Sequence, residues 1–294
     1  MKKKLLSTIT SVILSAAVLA GCSSTEAVTN NTTTNSETEN ATESESTESA
    51  DATETAADDQ LARILEKGEI VIAMEGTWAP WTYHDENDEL VGYDVEVGKM
   101  IAEKLGVEAT FVEGEWDGLF AGLDSERYDI IINGVEVTDE RSEKYDFSNP
   151  YCYIHTALIV KEDNTDITSF EDLAGKTTAN SISSTYMLLA EEYGATVQGV
   201  DSLDETLQMV LAGRVDATLN ADVSYYDYMN VHPEAELKVV ALTDEASLVC
   251  IPMRKGDDSA SLREAINAAI EELRESGALA EASEKYFGSD ISQE

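Results

Sequence analysis

An α/β fold is predicted by this sequence. Short β-branched runs bounded by Gly or acids alternate with runs of helical apolar spacing, and the β-α-β-α alternation occurs twice. A leftover strand and two helices close the chain. Alternation of this kind predicts mostly parallel sheets covered by helices, and the count fits two lobes with the C-terminal elements folding back on the first.

In the first set, GEIVIAM (68–74), ATFVEG (109–114) and YDIIING (128–134) read as buried strands. Between the first two, YDVEVGKMIAEKLG places Val97, Met100, Ile101 and Leu105 at helical spacing and stops at Gly106, which suits a helix C-terminus. In the second set HTALIVKE is a strand, SFEDLAG a short helix, and KTTANS a strand leading to the helix SSTYMLLAEEYG. ATVQGV precedes the helix SLDETLQMVLAGR, VDATLNA leads to the helix DVSYYDYM, and ELKVVAL ends the set. ASLVCIPMRKG then reads as one strand, followed by the helices SASLREAINAAIEELRESG and ALAEASEKYFG.

The ends of the chain bound where it works. MKKKLLSTITSVILSAAVLAGC carries three lysines, an apolar run from Leu5 to Ala20 and small residues before Cys22, the pattern of a secretion signal over 1–21 and too short for a spanning helix. From 22 to 59 the chain is mostly Ser, Thr, Glu, Asn and Ala, with no Lys or Arg between Cys22 and Arg63, so a flexible acidic tether is expected. The 59 acidic residues against 19 basic ones give a net charge of −40, and no basic stripe exists to release counterions from nucleic acid phosphates. About 235 residues remain for the globular part, expected as a monomer.

Cys152 and Cys250 lie in apolar runs, which reads as two buried thiols, with a disulfide between them left open. His84, His155 and His232 are scattered and no C-x-x-C or H-E-x-x-H occurs, so neither metal nor cofactor is expected. No Walker A sequence is present.

Several long strings, taken together, resemble the solute-binding proteins of ABC transporters for polar amino acids. They are EGTWAPWTYHDENDELVGYDVEVGKMIAEKLG, EWDGLFAGLDSERYDIIINGVEVTDERSEKYDFSNPY, SFEDLAGKTTANSISSTY, AGRVDATLNADVSYYDYM and SEKYFG. The wording around EGTWAPWTYHD and EWDGLFAGLDSERYD is nearest the cystine-type branch. Leu19-Ala20-Gly21-Cys22 likewise resembles a bacterial lipobox, which implies a lipid anchor on Cys22 at the outer face of the plasma membrane or in the periplasm. The resemblance implies a two-lobed periplasmic-binding-protein-like fold of type II, with lobe one over 60–155 and 250–294 and lobe two over 156–249. Two hinge strands would cross near 154–158 and 247–251, where Cys152 and Cys250 stand. A permease would be the protein partner.

The resemblance also assigns a site. Arg141, in the T-x-x-R block with Thr138, would hold the ligand's α-carboxylate through two parallel hydrogen bonds that a lysine cannot reproduce. Ser184 and Thr185 start a helix whose free N–H groups would take the same carboxylate from the other lobe, while also capping that helix. Trp78 and Trp116 would wall the ligand side chain, Glu75 would meet its distal end, and Trp81 reads as core. Relatives usually carry G-R-x-D-A-x-x-x-D, whose last Asp takes the ammonium, but here Ala221 stands at that place and Asp222 one later. A one-residue slip turns a side chain to the other face. Glu136 is therefore expected to accept the ammonium with help from the Gly134 carbonyl, and Asp222 is the runner-up. Tyr225, Tyr226 and Tyr228 read as packing. Two rivals remain: a lyase of the cyclohexadienyl dehydratase type, using a cleft acid, and a sensory amino-acid-binding module. No Ser/His/Asp or Cys/His arrangement favours an enzyme.

Overall fold

The computed structural model describes residues 59–294; the signal, the tether and Cys22 lie outside the described residues. Helix α1 (Gln60–Lys67) is capped by the Asp59 side chain, which accepts from Ala62 N, and ends at Gly68 in the left-handed region. Strand β1 (Glu69–Met74) follows, then a small antiparallel hairpin sheet of β2 (Thr77–Trp78), β3 (Thr82–His84) and β4 (Leu90–Val91). Gly92 starts α2 (Tyr93–Leu105) at φ 131°, where any Cβ would run into the Trp81 carbonyl, so only glycine fits. Of the apolar face expected on this helix, Val97 and Ile101 are fully buried and Met100 and Leu105 partly so.

Strands β5 (Glu108–Glu113) and β6 (Ile130–Ile131), separated by α3 (Trp116–Asp124), complete a parallel sheet in the order β5-β1-β6. The strand expected over 128–134 is thus only two residues long. The chain leaves the sheet at Asn133 and turns at Gly134, φ 55°, towards the cleft. Short α4 (Asp139–Lys144), β7 (Tyr145–Phe147) and β8 (Cys152–Ile154) lead to β9 (Thr156–Lys161), the first strand of the second lobe.

That lobe holds a 3-10 turn (Phe170–Leu173), β10 (Thr177–Asn180), α5 (Thr185–Glu192), β11 (Thr196–Gly199), α6 (Leu203–Leu211), β12 (Ala217–Ala221), α7 (Asp222–Val231) and β13 (Leu237–Leu242). Its sheet order is β11-β10-β12-β9-β13. The first three strands are parallel, β11 and β12 being reached through α5 and α6, whereas β9 is antiparallel to both its neighbours. Strand β9 thus runs against the parallel set, so the sheet is mixed.

The expected strand over the return splits into β14 (Ser247–Val249) and β15 (Pro252–Arg254). Its partner changes there, from β8 to β7, and Ile251 N turns to the Ser148 hydroxyl at 2.9 Å. The ladder is extended on its other side: Val137 N donates to the Leu248 carbonyl at 3.0 Å, Cys250 N to the Val135 carbonyl at 2.9 Å, and Glu136 bridges Val249. Helices α8 (Ala260–Glu275) and α9 (Ala278–Phe287) close the chain, and their Ile266, Ile270 and Leu279 share a core with Val97 and Ile101.

Cys152 and Cys250 are both free and buried. Cys152 is registered opposite Val249, so Cys250, one residue on, projects to the other face of the ribbon. Burial pushes the Cys250 thiol up to about 12. Among the described residues no helix is long and apolar enough to cross a membrane.

Candidate ligand-binding cleft

One cavity takes its lining from both lobes. Glu75, Trp78, Trp116, Gly134, Glu136 and Arg141 come from the first, and Asn180, Ser184, Thr185, Asp201 and Ser202 from the second.

Arg141 is placed by its short helix. Thr138 caps α4, its hydroxyl accepting from Arg141 N at 3.1 Å. The guanidinium then donates Nη1 to the Glu136 carbonyl at 2.8 Å and Nη2 to the Ser183 carbonyl at 3.2 Å, across the cleft. It lies 5.2 Å from the Trp116 ring and 5.5 Å from that of Phe120, so aromatic faces support it from behind. Burial lowers its pKa, and the nearby Glu136 opposes that shift. Ser183 takes φ 62°, a left-handed conformation that costs a non-glycine residue about 1 kcal/mol or more, and presents its carbonyl to the arginine.

Glu136 is 5 % exposed and accepts from the Thr185 hydroxyl of the opposite lobe at 2.5 Å. Ser184 caps α5, accepting from Met187 N at 3.1 Å, so that this helix start faces the cavity. Glu75 is held by Asn133, whose Nδ2 donates to its Oε2 at 2.7 Å. Burial pushes the Glu75 carboxyl up to about 7 against the lowering effect of that bond.

Eight residues expected at the site therefore share this cavity: Arg141, Glu136, Gly134, Ser184, Thr185, Trp78, Trp116 and Glu75. Thr138 stands behind Arg141 and lines the adjoining groove. Asp222 lines neither; it begins α7, and its Oδ1 accepts from His155 N at 3.4 Å beside the crossing strand. Trp81 is fully buried as expected, yet its Nε1 also donates to Ser224 of the other lobe at 2.9 Å.

Sequence reasoning missed Asn133, Asn180, Asn220, Asp201 and Ser202. A signal was there. Asn133, Asn180 and Asn220 stand just past or at the carboxyl ends of β6, β10 and β12, and ligands of α/β sheets bind outside those ends.

The chain matches the family model described as bacterial extracellular solute-binding proteins, family 3, over residues 70–289. It belongs to that family. It is 40 % identical to the L-cystine-binding protein TcyA of Bacillus subtilis (strain 168) over 242 residues, 82 % of this chain and 89 % of that one. To the L-cystine-binding protein TcyJ of Escherichia coli (strain K12) it is 33 % identical, covering 81 % and 90 %. Among solved structures, the L-cystine solute receptor of Neisseria gonorrhoeae, unliganded and open, matches at TM-score 0.56 and 37 % identity, covering 80 % and 100 %. An ancestral arginine-binding protein bound to arginine matches at TM-score 0.70 and 36 % identity, covering 75 % and 99 %. Membership in family 3 establishes the two-lobed solute-binding fold for this chain.

Beneath the cleft floor Asp94 couples its geometry. The carboxylate is fully buried, Oδ2 accepting from Gly134 N at 2.6 Å and Oδ1 from the Tyr151 hydroxyl at 2.8 Å. Burial raises it to about 7 despite both bonds. The folded state therefore holds this proton more tightly than the unfolded chain does. The resulting stability is full below about pH 4 and is lost as pH rises towards 7. Asparagine mimics the neutral acid, and the Tyr151 hydroxyl can rotate to accept from it. The melting temperature of Asp94→Asn, minus that of the parent, should climb from pH 4 to 7 and then level off; a difference that stays flat with pH would contradict the assignment.

Proposed function

We propose that this chain is the capture subunit of an ABC importer, binding cystine or a related polar amino acid in the interlobe cleft and presenting the closed form to the permease. The observation that carries this reading is that two opposite charges, Arg141 and Glu136, line the same cavity and each also bonds across to the far lobe, Arg141 to the Ser183 carbonyl and Glu136 to the Thr185 hydroxyl. Arg141, with the α5 start at Ser184 and Thr185, takes the carboxylate. Glu136, helped by the Gly134 carbonyl, takes the ammonium, while Thr138 fixes the arginine's helix. Trp78 and Trp116 wall the side chain and Glu75 meets its far end. Asp222, facing His155, is left to the hinge.

Ligand that bridges both lobes shifts an existing open–closed equilibrium by its greater affinity for the closed state. The cross-cleft bonds of Arg141 and Glu136 support a closed disposition, as does the better match to an arginine-bound structure than to an open one at similar identity. The lobes are proposed as 60–155 with 250–294, and 156–249. Cys22 is proposed as the lipidated residue that tethers the receptor, as a monomer, outside the cytoplasm.

A thermal-shift screen of the twenty amino acids and cystine tests this. A ligand at a hundred times its Kd adds about 2.7 kcal/mol, which raises the melting temperature by roughly 5–10 °C for a chain of this size. Cystine should stand at or near the top, and no shift with any amino acid would end the reading. A lyase reading draws on one observation, the buried Glu75 with its proton held near neutrality, together with the 28 % identity to an ancestral amino-acid-binding precursor of cyclohexadienyl dehydratase. Release of water from a cyclohexadienyl acid by the purified protein would replace the receptor with that enzyme.

A further inference from the structure

The cavity lining also carries polar groups that a single amino-acid head leaves unused. Asn180, at the end of β10, is 1 % exposed. Its Nδ2 donates to the Leu219 carbonyl at 2.8 Å, which fixes the amide orientation and leaves Oδ1 as the acceptor on the other side. That Oδ1 is buried and has no partner. A buried acceptor without a donor costs about 1–3 kcal/mol, so a donor supplied by a ligand gains that much. Beside it, Val200 N donates to the Asn180 carbonyl at 3.3 Å, which seats the Asp201–Ser202 turn against the strand end. Across the cleft, Trp78 Nε1 is also buried without a partner.

Charge points the same way. The lining holds the carboxyls of Glu75, Glu136 and Asp201 against one guanidinium, Arg141. A one-headed zwitterion satisfies Arg141 and Glu136, and burial keeps Glu75 close to its neutral form, so Asp201 is the acid of the lining left facing nothing positive.

We infer that Asn180 and Asp201 receive a second ammonium, that of the distal head of a two-headed amino acid, with Trp78 Nε1 donating to the distal carboxylate. This rests on the reading of the cleft as an amino-acid site. It makes the two lobe-two residues the determinants that separate two-headed ligands from one-headed ones.

Calorimetry on the full chain with three probes tests it: cystine, the mixed disulfide of cysteine with cysteamine, and the mixed disulfide of cysteine with 3-mercaptopropionate. The second keeps only the distal ammonium and the third only the distal carboxylate. The parent should bind the 3-mercaptopropionate compound at least about 30-fold more weakly than cystine, and the cysteamine compound within about tenfold of it. In Asn180→Leu the preference for a distal ammonium should fall below about fivefold, with the 3-mercaptopropionate compound bound as before. Asp201→Asn, at an exposed turn, repeats the test without touching a buried hydrogen bond. Loss of the preference in either variant supports the inference. Equal binding of the two mixed disulfides by the parent, or a preference that survives in both variants, overturns it while leaving the receptor reading intact. Failure of every amino acid to bind overturns the receptor reading itself.

Discussion

Arg141→Lys should weaken amino-acid binding at least about 100-fold while leaving the unliganded fold nearly as stable as before. Two charge-assisted hydrogen bonds are at stake, each worth about 1.5–3 kcal/mol, and tenfold in affinity is about 1.4 kcal/mol. A lysine keeps the charge but cannot present two parallel N–H groups to a carboxylate. Nor could it span the Glu136 and Ser183 carbonyls together, which is how the guanidinium is aimed in this structure. The stacking on Trp116 and Phe120 is also specific to the planar group. The arginine sits on an α4 with no buried residue, so the substitution removes no core packing. Calorimetry gives the affinity and thermal unfolding gives the stability. An affinity within tenfold of the parent would remove the carboxylate grip from the mechanism.

Glu136→Gln should cost more than tenfold in affinity, whereas Asp222→Asn should change it by less than about threefold. Glutamine is isosteric and retains an oxygen for the Thr185 hydroxyl, so the cross-lobe bond and the loop survive. What disappears is the negative charge opposite the ligand's ammonium, in a site where Glu136 is 5 % exposed and water cannot substitute. Breaking a buried ion pair by neutralising one partner leaves the other uncompensated. Asp222 serves as the comparison because it carries the same charge a short way off but faces His155 N rather than the cavity. A reversed result, with Glu136→Gln binding normally and Asp222→Asn not, would move the ammonium site to the first turn of α7.

Much of the architecture was legible because the strands of the first lobe and the helices after them carry strong local signals. Runs such as GEIVIAM, and a helix ended by Gly106, announce themselves through burial period and backbone freedom. The direction of β9 did not, since HTALIVKE reads alike for a parallel and an antiparallel central strand, and only its pairing with β12 and β13 reveals it. The split of the last strand depended on which neighbour each half meets, a property of the fold rather than of the eleven residues themselves. At the site, Arg141, Glu136 and Thr185 were visible through their blocks. Asn133, Asn180 and Asn220 were not, because an asparagine after a strand is also an ordinary turn residue. The local sequence around Trp81 pointed to packing and said nothing of Ser224, which is 143 positions away.

Glu136 pairs onto the ribbon of β8 and β14, for it bridges Val249, and its neighbours Val135 and Val137 bond to Cys250 and Leu248, in the segment proposed to cross between the lobes. The side chain proposed to feel the guest thus grows from the very axle about which the jaws would swing. Occupancy and angle would then be read at one point, and a spectroscopic reporter placed on that ribbon could follow filling and shutting as a single event.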